Sequence, residues 1–341
     1  MRDAIACIDR NAKGIVLIVD EERRLIGTVT DGDVRRAILA GVNLEESVIQ
    51  LRARGTTKTL PASVTALVGT DSAELLRLME QTGVRQIPLL DQQRRVMGLV
   101  TLADLLPGHA LPLKAVVMAG GLGQRLRPLT NDVPKVLLRV GDRPILELIL
   151  EQLRIAGIHH VHLTTHYKAH LIAQHFGDGA RFGVNLRYVR EDQPLGTAGS
   201  LAFVDKSDEP LLVINGDILT RVDFRAFLDF HHEHHADMTM AVRPHEFQIP
   251  YGVIETDGVM ITGIVEKPTI QHFINAGIYL ISPRALTLIP AGQPCDIPDL
   301  VKRLMAEGHR VIGFPIREYW MDIGQLADFE QVQTDMMNGT F

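Results

Sequence analysis

Between Lys114 and Pro144 the chain reads KAVVMAGGLGQRLRPLTNDVPKVLLRVGDRP, and no other stretch limits its folding choices as much. An apolar strand, Ala115–Met118, runs straight into a turn containing Gly120, Gly121 and Gly123. Glycines there let the backbone approach a ligand closely and turn its N–H groups toward anionic oxygens. Arg125, Arg127 and Lys135 follow within one loop and supply compensating charge. Such a loop suits a triphosphate. It is neither the Walker pattern nor the dinucleotide fingerprint, because neither Gly-Lys-Ser/Thr nor G-x-G-x-x-G occurs here.

From Lys114 onward, candidate strands alternate with amphipathic helices. The strands are Ala115–Met118, His160–Thr164, Asn185–Val189, Leu211–Asn215, Met238–Val242 and Ala276–Ile281; the helices include Ile145–Ala156 and Leu171–Phe176. Alternation of this kind predicts an α/β fold with a mixed, mostly parallel sheet and ligands at the carboxyl ends of its strands. Leu111-Pro112-Leu113, after Pro107-Gly108, predicts a linker at 111–113 that separates residues 1–110 from 114–341.

Residues 1–110 repeat themselves. GIVLIVDEERRLIGTVTDGDVRRAIL (Gly14–Leu39) returns as RQIPLLDQQRRVMGLVTLADLL (Arg85–Leu106), which implies a duplicated structural unit. In each copy a strand ends in Asp (Asp20, Asp91), a charged turn and second strand follow, and a helix opens at Thr-x-x-Asp: Thr30 with Asp33, Thr101 with Asp104. Such pairs make good helix starts, Thr capping and Asp favoured in the first turn. Thr30 has only 29 residues before it, so the opening strand of the first copy is expected to be short or missing.

With 341 residues there is room for two or three domains, and 46% hydrophobic with 22% charged residues describes a chain with real cores. A net charge of −6 argues against nucleic acid as a main partner. Cys7 and Cys295 lie far apart, give no metal spacing and suit a reducing cytoplasm. No apolar run approaches the ~18 residues of a membrane span, and Met1-Arg2-Asp3 opens no signal peptide. A cytoplasmic location is expected.

Two aspartates stand out. Val213-Ile214-Asn215-Gly216-Asp217 is an apolar strand ending in a carboxylate, although Asn-Gly-Asp is also a common turn. Tyr319-Trp320-Met321-Asp322-Ile323-Gly324 offers a second Asp far downstream. Two carboxylates from distant segments suit Mg²⁺, which takes one or two of them plus phosphate oxygens. Glu266-Lys267-Pro268 ends another strand; its Lys can pair with a phosphate and its Glu can accept from hydroxyls. The run His231–His235 closes a helix spanning Asp223–Phe230, where cations are favoured, and is not expected to bind metal.

Residues 114–144 match nearly every fixed position of GGxGxRLxPLTxxxPKxLLxVxxxP. There the chain resembles sugar-1-phosphate nucleotidyltransferases and is similar to the glucosamine-1-phosphate/mannose-1-phosphate guanylyltransferase family. The resemblance covers 114–341 and implies a Rossmann-like sheet, an NTP and a sugar 1-phosphate as substrates, an NDP-sugar and pyrophosphate as products, and Mg²⁺ on Asp217 and Asp322. It implies catalytic roles for Arg125, Lys135 and Lys267, and nucleotide binding by Ala119, Gly120, Gly121, Gly123, Glu191, Gly196 and Thr197. Sugar-phosphate contacts fall to Gly252, Glu266, Lys267 and Asn275. The stretch Glu191–Gly199, EDQPLGTAG, resembles the base-recognition segment of the family, whose uridylyl- and thymidylyltransferases carry glutamine where Glu191 stands. An ionised carboxylate only accepts, and guanine alone presents two adjacent donors, so Glu191 points to GTP.

The duplicated N-terminal unit resembles an α+β pair of CBS motifs, which implies a regulatory adenine or guanine nucleotide at Thr30, Asp33, Thr101 and Asp104. The fusion is similar to nucleotidyltransferases of bacterial nonulosonic-acid pathways, which implies GDP-glucosamine synthesis from glucosamine 1-phosphate. A homo-oligomer is expected. Two other readings stay open: a uridylyl- or thymidylyltransferase on the same fold, and an adenine-nucleotide sensor without turnover.

Overall fold

The Thr-x-x-Asp repeat becomes two near-copies of one small motif. The computed structural model describes residues 1–11, 13–42, 63–105, 111–191, 193, 195–205 and 207–341; Pro107 and Gly108, Asp192 and Pro194 lie outside the described residues. The chain divides into two compact units, Met1–Leu111 with Asp223–Phe230, and Pro112–Val222 with His231–Phe341.

In the first unit, helix Arg2–Asn11 leads into an antiparallel hairpin of β1 (Ile15–Val19) and β2 (Leu25–Thr30), then helix Asp31–Leu39. The second copy has a short strand first, β3 (Ala66–Leu67), then helix Ser72–Thr82, the hairpin β4 (Gln86–Leu90) and β5 (Val96–Thr101), and helix Leu102–Leu105. β3 pairs in parallel with β4, whereas among the described residues the first copy opens on the helix at Arg2. The hairpin turns are built alike. Asp20 Oδ1 accepts the N–H groups of Glu22 (3.0 Å) and Arg24 (2.7 Å), and Asp91 Oδ1 accepts those of Gln93 (2.9 Å) and Arg95 (2.8 Å). Arg23 and Arg94 both enter the left-handed region, at φ 62° and 64°. The copies meet there across a pseudo-two-fold bridge: Leu25 donates to the Arg94 carbonyl (3.1 Å) and Val96 to that of Arg23 (2.9 Å). Each copy keeps its own small core, Ile8, Val29 and Val34 in one, Leu75, Met79 and Ile87 in the other.

The second unit is built on a seven-stranded sheet. Its strands are β6 (Lys114–Met118), β9 (His160–Thr165), β10 (Asn185–Arg190), β11 (Leu211–Asn215), β13 (Met238–Gln248), β16 (Thr269–Ile281) and β17 (Val311–Pro315), in the order β10-β9-β6-β11-β16-β13-β17. Every pairing is parallel except those that β16 makes with β11 and β13. The sheet is therefore mixed and mostly parallel, as the alternation predicts. Ala115, Val116, Val117 and Leu212–Ile214 are sealed from solvent on both faces, which explains their unbroken apolar runs. On one face Val116, Val213, Tyr279 and Ile281 pack with Leu300 and Leu304 of helix Ile297–Ala306. Helix Ile145–Ile155 buries Leu146, Ile149, Leu150 and Leu153, spaced for a single apolar stripe.

Smaller pairs decorate the sheet: the hairpin β7 (Arg139–Val140) with β8 (Arg143–Pro144), the pair β12 (Ile218–Thr220) with β18 (Trp320–Asp322), and the hairpin β14 (Val253–Asp257) with β15 (Met260–Val265). The structure corrects three boundaries. β13 continues to Gln248 and β16 starts at Thr269, because their outer halves pair with each other beyond the buried sheet. Residues there, such as Glu246 opposite Gln271, carry no apolar run to announce a strand. The helix expected over Asp223–Phe230 spans Phe224–Glu233. His231 is consequently buried in it, bonded through Nδ1 to Thr239 Oγ1 (2.8 Å), and burial pushes its pKa down to about 4. No helix among the described residues is long and apolar enough to cross a membrane.

Candidate active site

β6 and β11 pair in parallel with Met118 opposite Asn215, so their carboxyl ends lie side by side. Gly216 donates its N–H to the Met118 carbonyl (2.9 Å), and a methyl group at Gly216 would lie 2.6 Å from the same oxygen. Glycine is what lets Asn215-Gly216-Asp217 pass so close to the end of β6. Asp217 is then brought to Asp322 by backbone pairing: Ile218 stands opposite Asp322, and Ile323 donates its N–H to the Asp217 carbonyl (3.0 Å).

Four charged side chains converge at that point. Lys135 Nζ lies 2.5 Å from Asp217 Oδ2. Asp217 Oδ1 is buried without a hydrogen-bond partner. Asp322 Oδ1 and the guanidinium carbon of Arg125 lie 3.7 and 3.9 Å from where a side chain at Gly324 would begin. Burial, then the charge of Asp217, pushes the Asp322 carboxyl above the ordinary carboxylate range, while Lys135 and Arg125 oppose the shift. Like charges held together in partial burial are costly until a cation joins them. No group of three or more His, Cys, Asp or Glu able to hold a metal occurs among the described residues. Asp217 and Asp322 fit a divalent ion of the Mg²⁺ type, whose remaining ligands are commonly phosphate and water.

The glycine loop is braced from below. Thr130, almost wholly buried, donates Oγ1 to the Gly123 carbonyl (2.7 Å), and Lys168 Nζ donates to the Asn131 carbonyl (2.6 Å). Gly123 has φ 62°, and a methyl there would meet Thr130 at 2.9 Å. The Ala119 N–H bonds to the Thr164 carbonyl (2.9 Å), so this amide extends the sheet and is not available to a ligand. Gly120, Gly121 and Gly123 remain as candidates for a phosphate cradle.

Opposite Gly120, β10 delivers Glu191. Its Oε2 accepts the Leu195 N–H (3.1 Å), and its Oε1 lies 3.8 Å from where a side chain at Gly120 would start. One carboxylate oxygen shapes the following turn and the other faces the glycine loop. Gly196 adopts φ 76°, where a methyl would stand 2.7 Å from the Cys295 carbonyl. Thr197 is committed to the fold: its N–H and hydroxyl both reach Asp296 Oδ1 (2.8 and 3.2 Å), and the hydroxyl accepts from Ile297 (2.8 Å).

Asn275 is also internally engaged. Its Nδ2 donates to the Tyr279 hydroxyl (2.8 Å) and its Oδ1 accepts the Gly277 N–H (3.0 Å). Burial raises the Tyr279 pKa; the Asn275 bond opposes this, and the charges of Asp217 and Asp322 add to it, which puts the phenol beside the aspartates. Gly252 and Glu266 form a separate group at the base of the β14–β15 hairpin, where a methyl on Gly252 would meet Glu266 Oε2 at 2.9 Å. Lys267 follows in a left-handed conformation, φ 45°. Among the described residues no hydrogen bond or ion pair joins Glu266 or Lys267 to the aspartates. Sequence reasoning missed Thr130 and His166, whose Cβ lies 3.6 Å from the would-be Gly120 side chain and whose Nδ1 contacts the Glu191 carbonyl (3.1 Å). His166 follows the carboxyl end of β9, a position that could have flagged it.

In the first unit, both Thr/Asp pairs are helix caps with the same geometry. The backbone N–H and hydroxyl of Thr30 donate to Asp33 Oδ2 (2.9 and 2.8 Å), and the Asp33 N–H returns a bond to the hydroxyl (3.2 Å). Thr101 and Asp104 repeat all three distances. Asp104 also meets Lys13 at 2.7 Å, and this ammonium, with the Thr101 bonds, lowers its pKa to about 2.

Comparison with known proteins adds names to these shapes. The nucleotidyl transferase family profile matches residues 114–339, and the CBS domain profile matches 1–40 and 60–107. Mannose-1-phosphate guanylyltransferase of Mycobacterium tuberculosis is 36% identical over 234 residues, 66% of this chain and 65% of that protein. The mannose-1-phosphate guanylyltransferase catalytic subunit beta of Danio rerio is 37% identical over 226 residues, 64% of this chain and 62% of that one. The chain thus spans less than two thirds of the length of these relatives. A putative glucose-1-phosphate thymidylyltransferase from Bacillus anthracis shares the fold, with TM-score 0.53 and 22% identity over 65% of this chain and 94% of that one. HddC from Yersinia pseudotuberculosis does likewise, with TM-score 0.52 and 24% identity over 65% and 99%.

Proposed function

Because the chain belongs to the nucleotidyl transferase family, we propose that it transfers a guanylyl group from GTP to a sugar 1-phosphate, forming a GDP-sugar and pyrophosphate. The observation that carries the reading is the convergence of Arg125, Lys135, Asp217 and Asp322 at the carboxyl ends of β6 and β11, beside the glycine loop. Guanine as the base is supported by Glu191, an acceptor-only side chain with one oxygen facing Gly120.

A phosphate oxygen of the sugar 1-phosphate is already anionic at neutral pH, so no general base is needed. That oxygen bonds to the α-phosphorus as the α–β phosphoanhydride bond breaks, and pyrophosphate carries away the displaced electron pair. The work left to the protein is positioning and neutralising charge. In this reading Gly120, Gly121 and Gly123 hold the triphosphate, Arg125 steadies the departing pyrophosphate, and Lys135 neutralises the α-phosphoryl region. Lys267 and Glu266 receive the sugar phosphate. Asp217 and Asp322 would hold Mg²⁺, which when bound screens the negative charge of the phosphates.

The transferase occupies 114–341 and the CBS pair 1–110, joined at 111–113, in the same proposal. So do a cytoplasmic setting, supported by two unpaired cysteines, and self-association, supported by the exposed Ile254, Ile261 and Ile264 on the β14–β15 hairpin. Pyrophosphate release, measured with GTP, UTP and dTTP against mannose 1-phosphate and glucosamine 1-phosphate, tests the reading. GTP is expected to be preferred. Preference for UTP or dTTP would overturn the base assignment, and no turnover with any pair would favour a nucleotide sensor.

A further inference from the structure

Two helix starts in the second unit have exchanged their caps. Helix Ile297–Ala306 opens after Asp296, a residue type that ordinarily caps its own helix by accepting an N–H from the first turn. Asp296 makes no such bond. Its carboxylate crosses instead to the loop after Glu191, where Oδ1 accepts the N–H (2.8 Å) and the hydroxyl (3.2 Å) of Thr197 in the short helix Gly196–Gly199. Thr197 reciprocates: its Oγ1 accepts the Ile297 N–H (2.8 Å), the first donor of the longer helix. Gly196, at φ 76°, permits the approach, since a methyl there would stand 2.7 Å from Asp296 Oδ1.

The longer helix does not need the carboxylate. Of its first three residues, Ile297 is satisfied by Thr197, Pro298 has no N–H, and Asp299 donates to the Asp296 carbonyl (3.0 Å). The carboxylate therefore serves the loop. Beside it, the Cys295 carbonyl accepts from Ala198 (2.9 Å) and Gly199 (3.0 Å), and the Cys295 N–H donates to the Leu195 carbonyl (2.9 Å). The Leu195 N–H in turn holds Glu191 Oε2 (3.1 Å), while Oε1 faces Gly120. Two residues of chain thus separate the group that Asp296 grips from the amide that orients Glu191.

We propose that Asp296 is a positioning residue for base selection: it fixes the turn at Leu195–Thr197 and, through the Leu195 amide, the orientation of the Glu191 carboxylate. The inference rests on the proposed guanylyl transfer, with Glu191 as the residue that meets the base. A glutamate released from the Leu195 amide spreads over several rotamers, and those turned away from the glycine loop cannot read a base there. Arg125, Lys135, Asp217 and Asp322 stand on other elements, so the rate at saturating nucleotide is expected to survive the loss of Asp296.

Competition between GTP and UTP on the full chain is the test. Asp296→Ala should lower the GTP-to-UTP specificity ratio roughly tenfold, the scale of one lost hydrogen bond to a charged group. It should do so by raising KM for GTP, with kcat within about twofold of the unmodified protein. Asp296→Asn keeps an acceptor oxygen for Thr197 and should recover most of the ratio. Ala198, Cys295, Ile297 and Leu300 share a buried core, so both variants keep the fold. Ser282→Ala is the control: it removes an ordinary cap, the bond accepted from Ala285 (3.3 Å), from another helix of the unit and should lower stability without touching selectivity. An unmodified protein with no turnover, or with no preference for GTP, would overturn the functional reading and this inference together. A GTP preference that survives Asp296→Ala would overturn this inference alone. So would an Asp296→Asn protein as indiscriminate as Asp296→Ala, or an equal loss of selectivity in Ser282→Ala.

Discussion

Thr30 with Asp33 and Asp217 with Asp322 are both polar pairs on short elements, and the molecule treats them in opposite ways. In the first unit each Thr/Asp pair bonds to itself and to the start of its own helix, with the same three distances in both copies. In the second unit two aspartates are brought together by strands far apart in sequence, one oxygen is buried without a partner, and the charge of Asp217 adds to burial in raising the cost of charging Asp322. A satisfied pair holds structure. A pair left in conflict stores a demand for something not yet bound, and that demand is the physical mark of a site.

Several variants can break or sharpen that contrast. The largest effect is expected at the conflicted pair. Asp217→Asn or Asp322→Asn should lower turnover by about a thousandfold, roughly 4 kcal/mol, the upper scale for lost charge stabilisation in an active site. Thermal melts of Asp322→Asn should show no loss of stability, because its repulsion with Asp217 is relieved, whereas Asp217→Asn should melt lower because it also removes the ion-pair partner of Lys135. Near-normal pyrophosphate release across a Mg²⁺ titration would remove the residue from the site.

His231 is a buried group with its partner in place, and acid should expose its cost. Its folded pKa of about 4 lies below the ordinary 6.5. The unfolded chain therefore binds the proton first, and the His231 contribution is complete above pH 6.5 and is lost as pH falls toward 4. The loss amounts to roughly 3 kcal/mol across that window. Urea melts at several pH values check it, and His231→Gln should flatten the dependence.

Glu191→Gln tests whether the carboxylate opposite Gly120 selects the base. An amide can donate as well as accept, so relative use of UTP should rise by about 1–3 kcal/mol in specificity. Competition at equal nucleotide concentrations measures it, and an unchanged ratio would assign Glu191 to the turn it braces through Leu195. The smallest effect belongs to the caps. Thr30→Ala and Thr101→Ala should each cost about 1 kcal/mol of stability, alike in the two copies, with catalytic turnover unchanged. Unequal costs would show that the copies differ energetically despite their matched geometry.

Much of the fold was legible because burial writes long apolar runs: β6 and β11 are sealed on both faces, and the sequence shows them as KAVVM and LLVIN. The outer halves of β13 and β16 and the strand β17 were not. Their pairing partners are set by tertiary position, and polar residues such as Glu246 and Gln271 carry no pattern. The charged members of the candidate site were visible as residue types. What sequence could not show is which polar atoms are already taken. Thr197 is held by Asp296, Asn275 by Tyr279 and Gly277, and the Ala119 amide by Thr164, and these partners belong to other elements.

Gly216, beside the aspartates, and Gly252, at the base of the β14–β15 hairpin, differ in what crowds them. At Gly216 an added methyl would strike the Met118 carbonyl, a backbone atom fixed by the central sheet, whereas at Gly252 it would strike the tip of the Glu266 side chain, which can swing away. Substitution is therefore barred at Gly216 and less costly at Gly252. In the proposed enzyme, descendants of this chain could exchange one sugar acceptor for another by remodelling the hairpin, one tolerated substitution at a time, without passing through a form that has lost its chemistry.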